Sequence, residues 1–269
     1  GWISAGPLPS CNTWKQTWPF SVHFPTLAEG AMVKLRKAEG QAPVSRAETL
    51  DPVVQRIGRL RLGHPVRVAV DGRTASGKTT LADELAALLT KQDRSVIRTS
   101  IDGFHRPWVE RYARGRHSAE GYYHDARDLP AIVKLLLAPL GPDGDRRYRT
   151  ASFDLDADRP LAQDAQTAEP DAILIVDGTF LQRPELRDHW DVALFVRTSA
   201  ETAQARGLGR DAGKLGGEAA ALDLYAKRYR PAYALYESFA EPEAHCDAIV
   251  DNDDLAQPGL YIRPGGRLA

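Results

Sequence analysis

Several things are scarce in this sequence. Only two cysteines, Cys11 and Cys246, occur in 269 residues, which rules out a disulfide framework and suits a reducing compartment. No apolar run approaches the ~18 residues that a membrane-spanning helix needs. No basic segment followed by an apolar stretch marks a secretory signal. The expected location is therefore cytoplasmic, with no membrane partner. Neither sign of charge prevails: 35 Lys and Arg face 36 Asp and Glu, a net charge of −1. That excludes a generally basic surface for nucleic acid, and Arg146, Arg147 and Arg149 around Tyr148 are too few to form one locally. No Asn-Lys-x-Asp segment is present to read guanine, and internal repeats are absent. Methionine occurs once, as Met32.

Residues 1–45 differ from the rest. They hold three of the five tryptophans, many Pro, Gly and Ser, and no sustained period. They are set apart as an N-terminal extension, disordered or of added, non-native origin, with a natural start expected at Met32; the alternative is an arm that docks onto the domain through Trp2, Trp14, Trp18 and Phe20. Residues 46–269 are expected to form the folded domain.

What is present is a phosphate-binding loop in its proper setting. Gly72-Arg73-Thr74-Ala75-Ser76-Gly77-Lys78-Thr79 matches G-x-x-x-x-G-K-[ST]. The apolar run Val66–Val70 precedes it, and a helical pattern with Leu81, Leu85, Leu88 and Leu89 on one face follows. Glycines at both ends let backbone N–H groups turn toward phosphate oxygens, and the helix N-terminus adds partial positive charge. Gly72, Thr74, Ala75, Ser76, Gly77, Lys78, Thr79 and Thr80 are the expected nucleotide contacts. Lys78 would reach the outer phosphates and the Thr79 hydroxyl would ligate Mg²⁺.

Short apolar strands alternate with helices along the remainder. A helix is expected over Pro52–Leu62, capped by Asp51 and ended by Gly63, and another from Asp128. Strands are expected at 95–101, 148–153, 172–176, 192–196 and 248–250. Residues 108–124 read as an irregular excursion, and helices near 200–212 and 218–239 flank a glycine break. This pattern implies an α/β fold, a P-loop NTPase three-layer sandwich with a mostly parallel five-stranded sheet and a helical lid over about 200–217.

Three acids fall at the C-terminal ends of expected strands, the edge where open α/β sheets bind ligands. Asp71 either braces the loop or serves as a ligand. Asp177, after Ile173-Leu174-Ile175-Val176, fits the second metal-site acid. Asp102, one strand away, is placed to take a proton from an attacking hydroxyl. The aromatic and basic stretch after it suggests a pocket for an organic acceptor.

In order, Gly72–Thr79, Ser100-Ile101-Asp102-Gly103-Phe104-His105-Arg106-Pro107, Ile175-Val176-Asp177-Gly178 and Arg206-Gly207-Leu208-Gly209-Arg210-Asp211 resemble the uridine kinase and phosphoribulokinase group of P-loop kinases. The resemblance spans about Val66 to Asp254. It implies a Mg²⁺-ATP-dependent kinase acting on a small-molecule hydroxyl acceptor, nucleoside-like, and it is compatible with a homo-oligomer. By the same resemblance Asp102 is the base, and Arg206 and Arg210 belong to a mobile lid over the transferring group. The acceptor contacts would be Phe104, Arg106, Tyr123, Asp125, Tyr148, Phe153 and Asp158. Two positions depart from the group's pattern. Tyr122 stands where an acid holds the ribose diol, and Asp158 stands where a His reads the pyrimidine. A non-nucleoside alcohol such as pantothenate is the second acceptor class, and a nucleotide-binding regulator without an acceptor is the other reading.

Overall fold

A computed structural model describes residues 45–269; the expectations for 1–44 lie outside these residues. The first helix, α1 (Arg46–Arg59), starts six residues before the expected Pro52. Ser45 and Glu48 form a reciprocal capping box, with Ser45 Oγ accepting from Glu48 N at 3.2 Å and Glu48 Oε2 accepting from Ser45 N at 2.7 Å. That local pairing outweighs Asp51 as a start signal, and Pro52 lies inside the helix. Val53, Val54 and Ile57 are buried, as their spacing required.

Six strands form the sheet: β1 (Val66–Gly72), β2 (Val96–Ser100), β3 (Ile173–Gly178), β4 (Val192–Arg197), β5 (Ala248–Asp251) and β6 (Gly259–Ile262). Their order is β6-β5-β4-β1-β3-β2, with the first five in sequence mutually parallel and β6 antiparallel to β5. The sheet thus has one strand more than expected. β6 buries only Leu260 and Ile262 along four residues, too little alternation to stand out from a loop.

Side chains alternate between two cores. Val68, Val70, Ile175 and Leu194 pack with α1 and with α2 (Lys78–Thr90), which contributes Leu81, Leu85 and Leu89. Ala69, Leu174 and Val176 pack on the other side with Ile101, Leu136 and Leu137. Phe195 and Ala193 meet a further cluster built on Phe180, Tyr233 and Tyr236. Burial on both faces explains the unbroken apolar run of β3; in β1 the one charged residue of the run, Arg67, is buried in an ion pair with Asp191 at 2.9 Å.

The excursion over 108–124 contains two short helices, Trp108–Arg111 and α3 (Ala119–His124). Asp128 caps α4 (Leu129–Ile132), accepting from Ala131 N at 3.0 Å, and a π-helical turn over Val133–Leu137 continues it. In place of one strand near 148–153 there are two minimal antiparallel pairs, 147–148 with 166–167 and 153–154 with 159–160. The expected lid segment is α5 (Ala200–Leu215), ended by left-handed Gly216 and followed by α6 (Glu218–Leu224), a π-helical turn at Tyr225–Tyr229 and α7 (Arg230–Ala240).

Candidate functional site

The loop between β1 and α2 is shaped by close approach. A Cβ on Gly72 would fall 2.8 Å from the Val196 carbonyl, and one on Gly77 would fall 2.4 Å from Asn252 Nδ2. Gly77 also adopts φ +91°, the left-handed region that favours glycine. As N-cap of α2 it offers no side-chain acceptor, so the first N–H groups stay available to an anion. Lys78 Nζ donates to the Arg73 carbonyl across the loop at 3.2 Å.

Asp71 is a brace. It is fully buried. Its Oδ1 accepts from Gly72 N at 2.7 Å, and its Oδ2 accepts from Gln182 N at 3.3 Å and from the Tyr236 hydroxyl. Burial pushes its pKa up against the pull of these donors. Asn252, fully buried after β5, is a second brace that the sequence did not suggest. Its Nδ2 donates to the Ser76 carbonyl at 2.7 Å, while Arg46 donates to its Oδ1 at 2.8 Å. Thr198 Oγ1 donates to the same Ser76 carbonyl at 3.2 Å. The available signal was its place at the C-terminal end of a strand.

At that same edge, Ser100 on β2 and Val70 on β1 both register with Asp177 on β3. Thr79 Oγ1 donates to Asp177 Oδ2 at 2.6 Å. Asp177 Oδ1 is buried without an aligned hydrogen bond, although Arg98 Nη2 lies 2.8 Å from it. A hydroxyl and a carboxylate in contact, the latter with one buried oxygen held only by an ion pair, are donors of the kind Mg²⁺ takes as a hard oxygen-seeking ion. Among the described residues there is no group of three or more His, Cys, Asp or Glu that could hold a metal ion. Mg²⁺ held by one or two protein oxygens plus phosphates and waters needs none.

Asp102 follows β2 in a 3₁₀ turn, Ile101–Phe104, with its N–H on Ser100 Oγ at 3.3 Å. Its side chain is 59% exposed, and Arg127 Nη2 contacts its Oδ1 at 2.8 Å. Crowding by the protein pushes the carboxyl's pKa up, but Arg127 and Lys78 outweigh this and hold it below the ordinary Asp range. The carboxylate is ionised at neutral pH, the state a proton acceptor requires.

The acceptor side departs most from expectation. Phe104 is fully buried among Ile101, Leu136 and Leu137, and Tyr148 is buried with its hydroxyl donating to Gln166 at 3.0 Å. Tyr123 is buried against Phe180 and Tyr236, with the Arg183 guanidinium over its ring. These three rings are packing elements, because aromatic area beside a strand end is most stable in the core. Phe153 is buried as well, in the short pair opposite Pro160. Asp158, expected to read the acceptor, instead accepts from Trp108 N at 2.9 Å and from Arg111 at 2.8 Å. Asp125 is paired with Arg114 at 2.7 Å. Of the set, Arg106 is half-buried, and among the described residues its guanidinium has no hydrogen bond or ion pair.

Beside the loop, a half-open cleft is lined by Arg73, Thr74, Tyr122, Thr179, Tyr225 and Tyr229, among others. Tyr122 points its hydroxyl to within 3.5 Å of Thr74 Oγ1. Arg206 donates to the carbonyls of Asn252 and Asp253, at 2.9 and 2.8 Å. Arg210 pairs with Asp211 at 2.6 Å; that hydrogen bond raises its pKa, and Asp102 lies within its electrostatic reach. Neither arginine is placed over the phosphate loop by a direct contact in this structure.

No family model matches the chain. It is 29% identical over 190 residues to uridine-cytidine kinase B of Dictyostelium discoideum, covering 70% of this chain and 74% of that one. It is 27% identical over 183 residues to the uridine kinase of Leuconostoc citreum, covering 66% and 82%. Among solved structures, a candidate uridine kinase from Bacillus stearothermophilus superposes with a TM-score of 0.60 at 20% identity, covering 75% of this chain and 97% of that one. A candidate fructose transport system kinase from Silicibacter does so at 0.57 and 24%, covering 72% and 94%. The fold is that of P-loop kinases, and along most of its length the sequence resembles uridine kinases.

Proposed function

We propose that this protein transfers the γ-phosphoryl group of Mg²⁺-bound ATP to a hydroxyl of a nucleoside. The observation that carries the reading is Asp102, ionised and exposed at the sheet edge two strands from the phosphate loop and within the field of Lys78. A pure nucleotide switch needs no such acid, and the relatives in sequence are uridine and cytidine kinases, which favours a nucleoside over pantothenate.

In the transfer, the acceptor oxygen attacks the γ-phosphorus and its proton passes to Asp102. The bond from the γ-phosphorus to the bridging oxygen breaks, and ADP leaves. Thr79 and Asp177 would hold Mg²⁺, which when bound supplies charge neutralisation at the β- and γ-phosphates. The loop amides and Lys78 position the phosphates, and positioning with charge neutralisation is most of what this chemistry requires. Arg210, within reach of Asp102, would add charge from α5. Arg106, whose guanidinium has no partner among the described residues, is the side chain of the expected acceptor set left free to meet the acceptor.

The test is ADP release from Mg²⁺-ATP with a panel of nucleosides and small alcohols. Uridine or cytidine should stimulate release well above the water background, and Asp102→Asn should keep ATP binding while losing at least ~10²-fold in rate. Parental turnover in that variant would remove Asp102 as the base, and no stimulation by any nucleoside would overturn the acceptor class.

A further inference from the structure

We propose that Arg127 is the positioning residue for Asp102. It orients the carboxylate by holding one oxygen and leaving the other for the acceptor hydroxyl. This rests on the phosphotransfer reading of Asp102.

Arg127 is 7% exposed, and its Nη2 meets Asp102 Oδ1 at 2.8 Å from 25 residues away. Among the described residues Asp102 Oδ2 has no hydrogen-bond partner. The two segments are also laced through the backbone. His105 and Arg127 form an isolated antiparallel bridge, with Arg106 N donating to Ala126 O at 3.2 Å and Asp128 N to Phe104 O at 2.8 Å. The guanidinium therefore starts from a fixed point relative to the turn that carries Asp102, and its planar fork has little freedom left.

The rest of this guanidinium is poorly served. Among the described residues Nε and Nη1 are buried without an aligned hydrogen bond, and its carbon lies 5.7 Å from the ring centroid of Tyr122, whose hydroxyl also acts on its charge. Buried donors are normally satisfied, and a buried cation with one ion pair is a poor stabiliser. The arrangement is understandable if what it secures is the state of Asp102. Other ionisable groups facing that carboxylate are Lys78, His105, Tyr122 from α3 and, from α5, Arg210. Burial and Arg127 push His105 down to about 3, so it carries no charge at neutral pH.

The experiment compares Arg127→Met and Arg127→Lys with the parent. It measures ADP release across pH with uridine and cytidine as acceptor probes. In parallel it follows the Asp102 carboxyl by ¹³C NMR titration, its resonance assigned by its loss in D102N. Arg127→Met should raise the Asp102 midpoint by about one pH unit or more, as expected on removing an adjacent guanidinium. Its kcat should fall roughly 10–100-fold from misplacement while the KM for ATP stays within about twofold. Arg127→Lys should keep the midpoint near the parental value yet recover only part of kcat, because a point charge does not reproduce the fork. An unmoved midpoint in Arg127→Met, or parental kcat in Arg127→Lys, overturns the proposal. If Arg127→Met does not fold, Arg127→Lys decides through kcat at an unchanged melting temperature. Parental turnover in D102N would instead remove the base itself, whereas a dead D102N beside a normal Arg127→Met removes only the positioning role.

Discussion

The two halves of the proposed site are built on different principles. The nucleotide side is made of backbone, with consecutive residues 72–79 bent around a helix N-terminus and braced from behind by Asp71, Thr198 and Asn252. The proposed acceptor half carries side-chain ion pairs instead: Asp102 with Arg127, Asp158 with Arg111 and Asp125 with Arg114. Backbone amides cannot be exchanged by substitution, so the first side presents one chemistry. Ion-paired side chains can be swapped without disturbing the sheet, so the second is free to change its acceptor.

Three substitutions sharpen that contrast. Lys78→Ala should have the largest effect, lowering kcat/KM for ATP by about 10²–10³-fold through loss of a preorganised cation at the phosphates. Steady-state kinetics at saturating acceptor check it, and a loss under tenfold would break the account of the cradle. Tyr236→Phe acts only on the brace, leaving a buried Asp71 oxygen with one long hydrogen bond. Leaving that buried acceptor under-satisfied should cost about 1–3 kcal/mol of stability, seen as a lower urea midpoint at unchanged m-value. The smallest effect belongs to Asp158→Asn. Its ion pair with Arg111 is 40% exposed on the Asp side and is worth about 1 kcal/mol or less, so the acceptor KM should change by less than about fivefold. A much larger rise would return Asp158 to direct acceptor contact.

Much of the cradle was legible because it is local. Gly72 through Thr79 are neighbours in sequence, and Asp102 and Asp177 could be nominated because strand ends converge on one edge of a parallel sheet. What was missed is set by strand order. Asn252 reaches Ser76 only because β5 lies beyond β4, and Tyr236 reaches Asp71 only because α7 packs across the sheet. Arg127 lay inside a segment matched by resemblance, yet nothing in its spacing reveals a pairing with Asp102. The same resemblance nominated Phe104, Tyr123 and Tyr148. A sequence match does not distinguish a ring that touches a ligand from one that fills a core, and burial assigns these three to the core.

Arg206 is tied to the carbonyls of Asn252 and Asp253, and Asn252 also braces the loop. If Arg206 is to serve the transferring group, as the resemblance implies, α5 must first unlatch from the rim of the cradle and give up both hydrogen bonds. An acceptor that fills the cleft brings contacts to offset that loss, whereas a water molecule brings almost none. The resting latch would then act as a safeguard against idle ATP hydrolysis, releasing the last cation only when something worth phosphorylating has arrived.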